Sequence, residues 1–281
     1  MDSSRVIQDP RNPRIGMIQI NLGKGRAATN ALLRILEEDN VAIAATQEPH
    51  VREGKVVGLG GLSALSRGRV PRAAILYTRN VKPIMIGHLS DEYLVAAEFT
   101  EETGESWYLV SVYIPPVENK TVDFNRRVGR LEEVVAELSN RGEVIIAGDF
   151  NAKSVAWGSP RDCPRGRRLC EAVETLDLVT MNRGDRPTFE GPRGTSHIDV
   201  TMATPGISAR IRGWEVRDDK LTGTSDHMVI QWGLEPAGVA RVTSDTTGWC
   251  VKKADWGVFR QHLGREANNM QAMLEGLGTE Q

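Results

Sequence analysis

The chain has 281 residues, 40% of them hydrophobic and 26% charged, and its 35 basic against 37 acidic side chains leave a formal charge of −2. That is the composition of a globular protein with a substantial core, in one large domain or two ordinary ones, and it excludes recognition of nucleic acid by net charge alone. No apolar run reaches 18 residues and the N-terminus lacks the apolar stretch of a secretory signal, so a soluble intracellular chain without membrane contact is expected. Cys163, Cys170 and Cys250 have no paired spacing with histidines, which argues against a disulfide framework or a zinc site.

Taken in order, residues 1–13 read as a flexible arm. Short apolar runs rich in branched side chains then predict strands at 14–21, 41–48, 73–78, 93–99, 107–114, 143–150, 196–203, 209–217 and 227–234. Helical spacing appears at 27–39, from Val122 and from Arg165. In the second of these, Phe124, Val128, Leu131, Val134, Val135 and Leu138 share one face. So many strands with so few helices do not suit a doubly wound parallel sheet; two packed mixed sheets with helices outside fit better. Residues 236–281 divide into a linker and an amphipathic pattern from Asp255, whose stripe Trp256, Phe259, Leu263, Ala267, Met270 and Leu274 needs a partner. Either the stripe packs back on the domain or the polypeptide continues into a downstream region that covers it, and the second is expected.

The polar residues stand at strand ends. In GDFNAKS, Asp149 and Asn151 project together if the segment is extended, while Phe150 points into the core; an Asx turn explains the same residues equally well. Asn21 ends one strand, Glu48 another, and Tyr113 precedes Pro115 and Pro116. Asp199 lies in a half-buried strand, and Asp226 and His227 open the last one, where both reach a single site only from the preceding loop, which Gly223 and Ser225 permit. His197 is read as structural or peripheral. A set of acids, neutral amides, a phenol and one imidazole suits attack on a phosphodiester. Glu48 offers hard oxygens to Mg²⁺, with Mn²⁺ as a substitute; Asp149 aligns or deprotonates water; Asp199 holds His227 cationic; and Asn21, Asn151 and Tyr113 hold phosphate oxygens.

In that order the segments QIN, TQE, SVYIPP, GDFNAK, SHIDVT and SDHMVI resemble the endonuclease/exonuclease/phosphatase superfamily, which includes DNase I and the apurinic endonucleases. GDFNAKSVAWGS followed by GRRLCEAVETLDLVTMNRGDRPTF is similar, more narrowly, to the endonuclease domain of non-LTR retrotransposon polyproteins. The resemblance implies a four-layer α/β/β/α sandwich over residues 14–235 and a Mg²⁺-dependent nick in double-stranded DNA that leaves 5′-phosphate and 3′-hydroxyl. It further implies that the hydroxyl primes reverse transcription of the element's RNA in the nucleus, by a reverse transcriptase fused in cis. On the family's pattern Glu48 is a metal ligand and Asp226 an acid near the metal. Many relatives carry a further acid where this chain has Gly23, which makes a second metal less expected. Thr188 lies where relatives contact DNA near the scissile phosphate. Arg165, Arg167 and Arg168 enter the first turn of a helix, where the dipole disfavours cations, so a phosphate or a nearby carboxylate should compensate them. Open alternatives are an abasic-site endonuclease, another phosphodiesterase of the superfamily, or a silent DNA- or protein-binding module.

Overall fold

Among the described residues the polar side chains of Gln19, Thr46, Gln47, Ser111 and Thr201 lie fully buried inside the apolar runs, and they are explained by the way two sheets meet. The computed structural model describes residues 14–116, 121–217 and 224–238, all within one compact unit. The expected N-terminal arm, Gly223 and the stripe from Asp255 lie outside the described residues.

The elements run β1 (Ile15–Asn21), α1 (Arg26–Glu38), β2 (Val41–Gln47), the short hairpin β3 (Val51–Arg52) and β4 (Lys55–Val56), β5 (Ser63–Ser66), β6 (Ala73–Tyr77), β7 (Ile84–Met85), β8 (Leu94–Thr100) and β9 (Ser106–Tyr113). They continue with α2 (Thr121–Ser139), β10 (Glu143–Asp149), α3 (Pro164–Thr175), β11 (Val179–Thr180), the hairpin β12 (Phe189–Gly191) and β13 (Gly194–Ser196), β14 (Asp199–Ala203), α4 (Pro205–Ser208), β15 (Ile211–Val216) and β16 (Ile230–Leu234). One six-stranded sheet has the order β15-β16-β1-β2-β6-β5 and the other β11-β14-β10-β9-β8-β7. Each is mixed: β1 runs parallel to β2 and β9 to β10, and the other described pairings are antiparallel.

Three apolar clusters define four layers. Met17, Ile43, Ile75, Leu109, Ile145 and Trp232 fill the space between the sheets. Leu32 and Leu36 of α1 cover the outer face of the first sheet with Ile18, Ile20 and Leu76. Phe124, Val128, Leu131, Val134, Val135 and Leu138 of α2, with Leu169 of α3, cover the second. The helical stripe read from the sequence is thus the buried one, each such side chain contributing roughly 1.5–3 kcal/mol by leaving water.

Toward the site the dry interface becomes polar. Gln19 donates to the carbonyl of Gly148 at 3.0 Å and accepts from the Thr201 hydroxyl at 2.8 Å. Gln47 reaches Ser111 at 3.1 Å and the carbonyl of Ala147 at 3.3 Å, and Ser111 donates to the carbonyl of Thr46. These bonds lock the register of β1 and β2 against β9, β10 and β14 directly beneath the strand ends. Replacing Gln19 with Ala takes the acceptor from the Thr201 hydroxyl, which still holds the indole N–H of Trp214, and removes one donor to the Gly148 carbonyl, so a loss of about 1–2 kcal/mol is expected in urea denaturation. An unchanged midpoint would show that the interface re-pairs without it. Gly148 itself has no room for a side chain: a Cβ there would sit 2.5 Å from the Val112 carbonyl oxygen.

Candidate active site

Three of the expected residues occupy one row. Tyr113, Asp149 and Asp199 are register partners across β9, β10 and β14, at the same edge of the second sheet. Asn21 and Glu48 arrive from the ends of β1 and β2 on the facing sheet. Asn21 crosses the gap, its amide donating to Asp149 Oδ2 at 2.9 Å while its own oxygen accepts from the Gly23 N–H.

Asp149 collects three more contacts. Its Oδ1 accepts from the backbone and side-chain nitrogens of Asn151 at 3.1 and 2.9 Å, and His227 Nε2 lies 3.8 Å from Oδ2. Alternation along an extended strand is not what brings Asn151 beside Asp149. The strand ends at Asp149, and Asn151 turns back with φ 47°, a left-handed conformation that asparagine tolerates better than most residues. The Asx turn and the polar site are therefore the same feature. Phe150 between them is fully buried against the helices, as expected of an anchor.

His227 is placed by its neighbours. Its backbone N–H donates to the Ser225 hydroxyl, which in turn donates to the carbonyl of Asn21 at 2.7 Å. An isolated bridge and an edge-to-face contact, with ring centroids 5.0 Å apart, fix it to Phe189. Nδ1 donates to both oxygens of Asp199 at 2.9 and 3.0 Å, leaving Nε2 to face Asp149. Burial works against the charged imidazole, but the charge and hydrogen bond of Asp199, then Asp149 and Glu48, outweigh it and raise the His227 pKa to about 9. Burial and the negative charge of Asp199 push the Asp149 carboxyl well above its ordinary range, against the pull of His227 and of its amide donors. Burial and the carboxylates of Glu48 and Asp149 likewise drive the Tyr113 phenol upward, so it stays a neutral donor.

Glu48 (φ 43°) is held by Lys24 at 2.9 Å and Arg72 at 3.4 Å, two cations absent from the sequence expectation. Among the described residues, the cluster of ligating atoms within 4.8 Å of one another is Asp149, Asp199 and His227. The protons of Asn21 and Asn151 meet the Asp149 oxygens and that of His227 meets those of Asp199, while Glu48, outside this cluster, meets Lys24 and Arg72 and bears on His227 and Tyr113. The carboxylate-and-amide donor set fits a divalent metal. Asp226 is exposed and outside that cluster; its backbone carbonyl accepts from the Glu190 N–H.

The flanking residues divide. The Thr188 hydroxyl is buried and accepts from the backbone of Ile198 and Asp199 at 3.1 and 3.0 Å, which sets the strand bearing Asp199. Arg165 donates to the carbonyls of Pro115 and Asn151, and Arg168 forms a two-pronged pair with Glu132 of α2 at 2.7 and 2.9 Å. A carboxylate, the second of the two expected compensations, thus meets Arg168. Arg167 is exposed. His197 is structural, its Nε2 2.9 Å from the carbonyl of Asp185. Cys163 has a structural part: its sulfur caps α3, accepting N–H groups from Gly166 and Lys153.

Two sheets converge a carboxylate, two amides, a phenol and an Asp-paired imidazole on one rim, a set suited to metal-assisted attack on a phosphodiester. The comparisons with known proteins narrow the class. A family described as Endonuclease-reverse transcriptase matches residues 107–231. The chain is 29% identical over 183 residues to the RNA-directed DNA polymerase from mobile element jockey of Drosophila melanogaster, covering 61% of this chain and 19% of that protein. It is 27% identical over 267 residues to a putative 115 kDa protein in the type-1 retrotransposable element R1DM of the same organism, covering 88% of this chain and 24% of that one. This chain therefore spans about a fifth to a quarter of the length of these relatives. The endonuclease domain of TRAS1, a telomere-specific non-LTR retrotransposon, superposes with a TM-score of 0.70 at 28% identity over 79% of this chain and 98% of that one. The AP endonuclease LMAP from Leishmania major shares the fold, with a TM-score of 0.65 at 16% identity over 81% of this chain and 89% of that one. The chain is thus similar, over residues 107–231, to the family described as Endonuclease-reverse transcriptase, and more widely to proteins of non-LTR retrotransposons and to the endonuclease domain of one of them.

Proposed function

We propose that this domain nicks double-stranded DNA with Mg²⁺, leaving a 5′-phosphate and a 3′-hydroxyl, and that the hydroxyl primes reverse transcription of an element's RNA by an enzyme fused in cis. The observation that carries the reading is the row Tyr113–Asp149–Asp199 with His227 Nε2 aimed at Asp149 across 3.8 Å. In this reading Glu48 would hold the metal, which would polarise a phosphoryl oxygen and stabilise the leaving oxygen, and Asp226, exposed beside His227, is the further acid that the family pattern puts near it. Asn21 and Tyr113 position the scissile phosphate as neutral donors, and Asn151, whose two amide protons go to Asp149 and the Ile114 carbonyl, orients Asp149 and joins them if it exchanges one of those bonds for a phosphate oxygen. Asp149 orients the attacking water and receives its proton. His227, kept protonated by Asp199, donates from Nε2 to the charge that develops on phosphorus-bound oxygen. The retrotransposon relatives support the priming role.

Supercoiled plasmid, abasic duplex, RNA and phosphoinositide should be offered in parallel with Mg²⁺ and with EDTA. Mg²⁺-dependent conversion of intact plasmid to open circles, sealed afterwards by DNA ligase, is the expected result. Faster cleavage of the abasic duplex than of intact DNA would favour a repair enzyme, and an inert plasmid would overturn the proposal.

A further inference from the structure

The cavity adjoining the site on the α2 side has a volume of about 710 Å³, within the range of pockets that take small ligands, and Tyr113 forms part of its wall. The same wall carries Val112 and Tyr93, and its rim carries Arg126, Arg127 and Arg130 of α2.

Tyr93 is fixed beside Tyr113: its carbonyl accepts the Tyr113 N–H at 2.8 Å, and the two rings are parallel within 5° with centroids 6.5 Å apart. Arg127 sits over the Tyr93 ring, its Cζ 3.5 Å from the centroid. A guanidinium in that position is held by the ring and still presents its N–H donors outward. The other charges around the cavity are already engaged. Asp91 accepts the backbone N–H groups of Tyr93 and Leu94, and Glu92 pairs with Arg72. Glu133 pairs with Arg130, and Asp123 with Arg126. Arg127 has no carboxylate within 4.0 Å among the described residues. A cation held on an aromatic ring without an acid, one aromatic away from the phosphate-handling phenol, calls for an anion that arrives with the substrate.

We propose that this cavity seats the nucleotide next to the scissile phosphate on the cut strand, Arg127 binding its phosphate and Tyr93 packing against its sugar or base. The assignment rests on the DNA-nicking reading above and adds a binding subsite to it. Arg127 and Tyr93 act here as binding residues, outside the bond-breaking set.

The test uses the whole chain in EDTA, binding a labelled duplex of about 20 base pairs that carries a mapped nicking site, together with duplexes in which one phosphate at a time is a neutral methylphosphonate. Arg127→Gln should weaken binding about 5- to 20-fold and lower the salt slope by about 0.9, the increment of one released counterion. Tyr93→Ala should weaken it about 10-fold and Tyr93→Phe hardly at all, since stacking needs the ring and not the hydroxyl. At one phosphate adjacent to the cut, neutralisation should weaken wild-type binding as Arg127→Gln does, and should weaken the variant's no further. Loss that is additive at every position, or variants that bind like wild type while wild type nicks plasmid normally, would overturn the subsite. A wild-type protein that nicks nothing would instead overturn the functional reading. Where Tyr93→Ala unfolds the chain, Tyr93→Leu takes its place, with the same loss expected.

Discussion

Asp149→Asn should lower plasmid nicking by about 10²- to 10⁴-fold, the usual worth of a positioned proton acceptor, in a protein that remains folded. The carboxylate is 1% exposed and receives two hydrogen bonds from Asn151 and one from Asn21. Asparagine keeps the shape but turns an N–H₂ toward one of those donors, so one bond is lost. Against that, it removes a buried negative charge that faces Asp199 across the pair of strands. Because folding raises the Asp149 pKa, the native state disfavours its ionised form, and wild type gives up stability as pH rises from the ordinary carboxylate range toward the elevated value. Asparagine has no such dependence. Urea denaturation of the two proteins should therefore show the variant gaining on wild type between pH 4 and pH 7. Nicking at the wild-type rate would remove Asp149 from the mechanism.

The parts of this architecture that were legible in the sequence are those governed by local pattern. Each long strand announced itself by a branched apolar run, and α2 by its six-residue stripe. The two-residue strands β3, β4, β7 and β11 carry too few side chains for any period to show. Strand-end position picked out Asn21, Tyr113, Asp149 and Asp199, because a side chain at the edge of a sheet is both positioned and reachable. What stayed hidden depends on the partner across the gap. Gln19 shares a strand face with Met17 and Asn21, so alternation put it inward, but nothing local says that it pairs with Thr201 and Gly148. Lys24 and Arg72 meet Glu48 from separate loops, and Arg168 finds its acid 36 residues away. Asn151 shows the limit of the alternation argument: the right neighbours were inferred, whereas the backbone reaches them through a left-handed turn.

His227→Ala should cost about 10²- to 10³-fold in nicking, comparable to removing one preorganised donor to a developing oxyanion. The argument turns on protonation. Asp199 accepts Nδ1–H with both oxygens, so the second proton of a cationic ring sits on Nε2, on the side of Asp149. With its pKa at about 9 the ring is cationic at neutral pH, and wild-type nicking should fall as pH rises through about 9. The sign for stability is the same. A histidine whose pKa is raised by folding contributes fully below the unfolded value near 6.5 and loses that contribution as pH climbs to the folded one. The span corresponds to roughly 3 kcal/mol at most. Denaturation midpoints of wild type and His227→Ala, compared from pH 6 to pH 10, should converge across that window. Asp199→Asn should shift the alkaline limb of nicking to lower pH, since it removes the largest charge that holds the imidazole protonated. A limb that stays in place in Asp199→Asn, or full activity in His227→Ala, would assign the charge-stabilising role to another group.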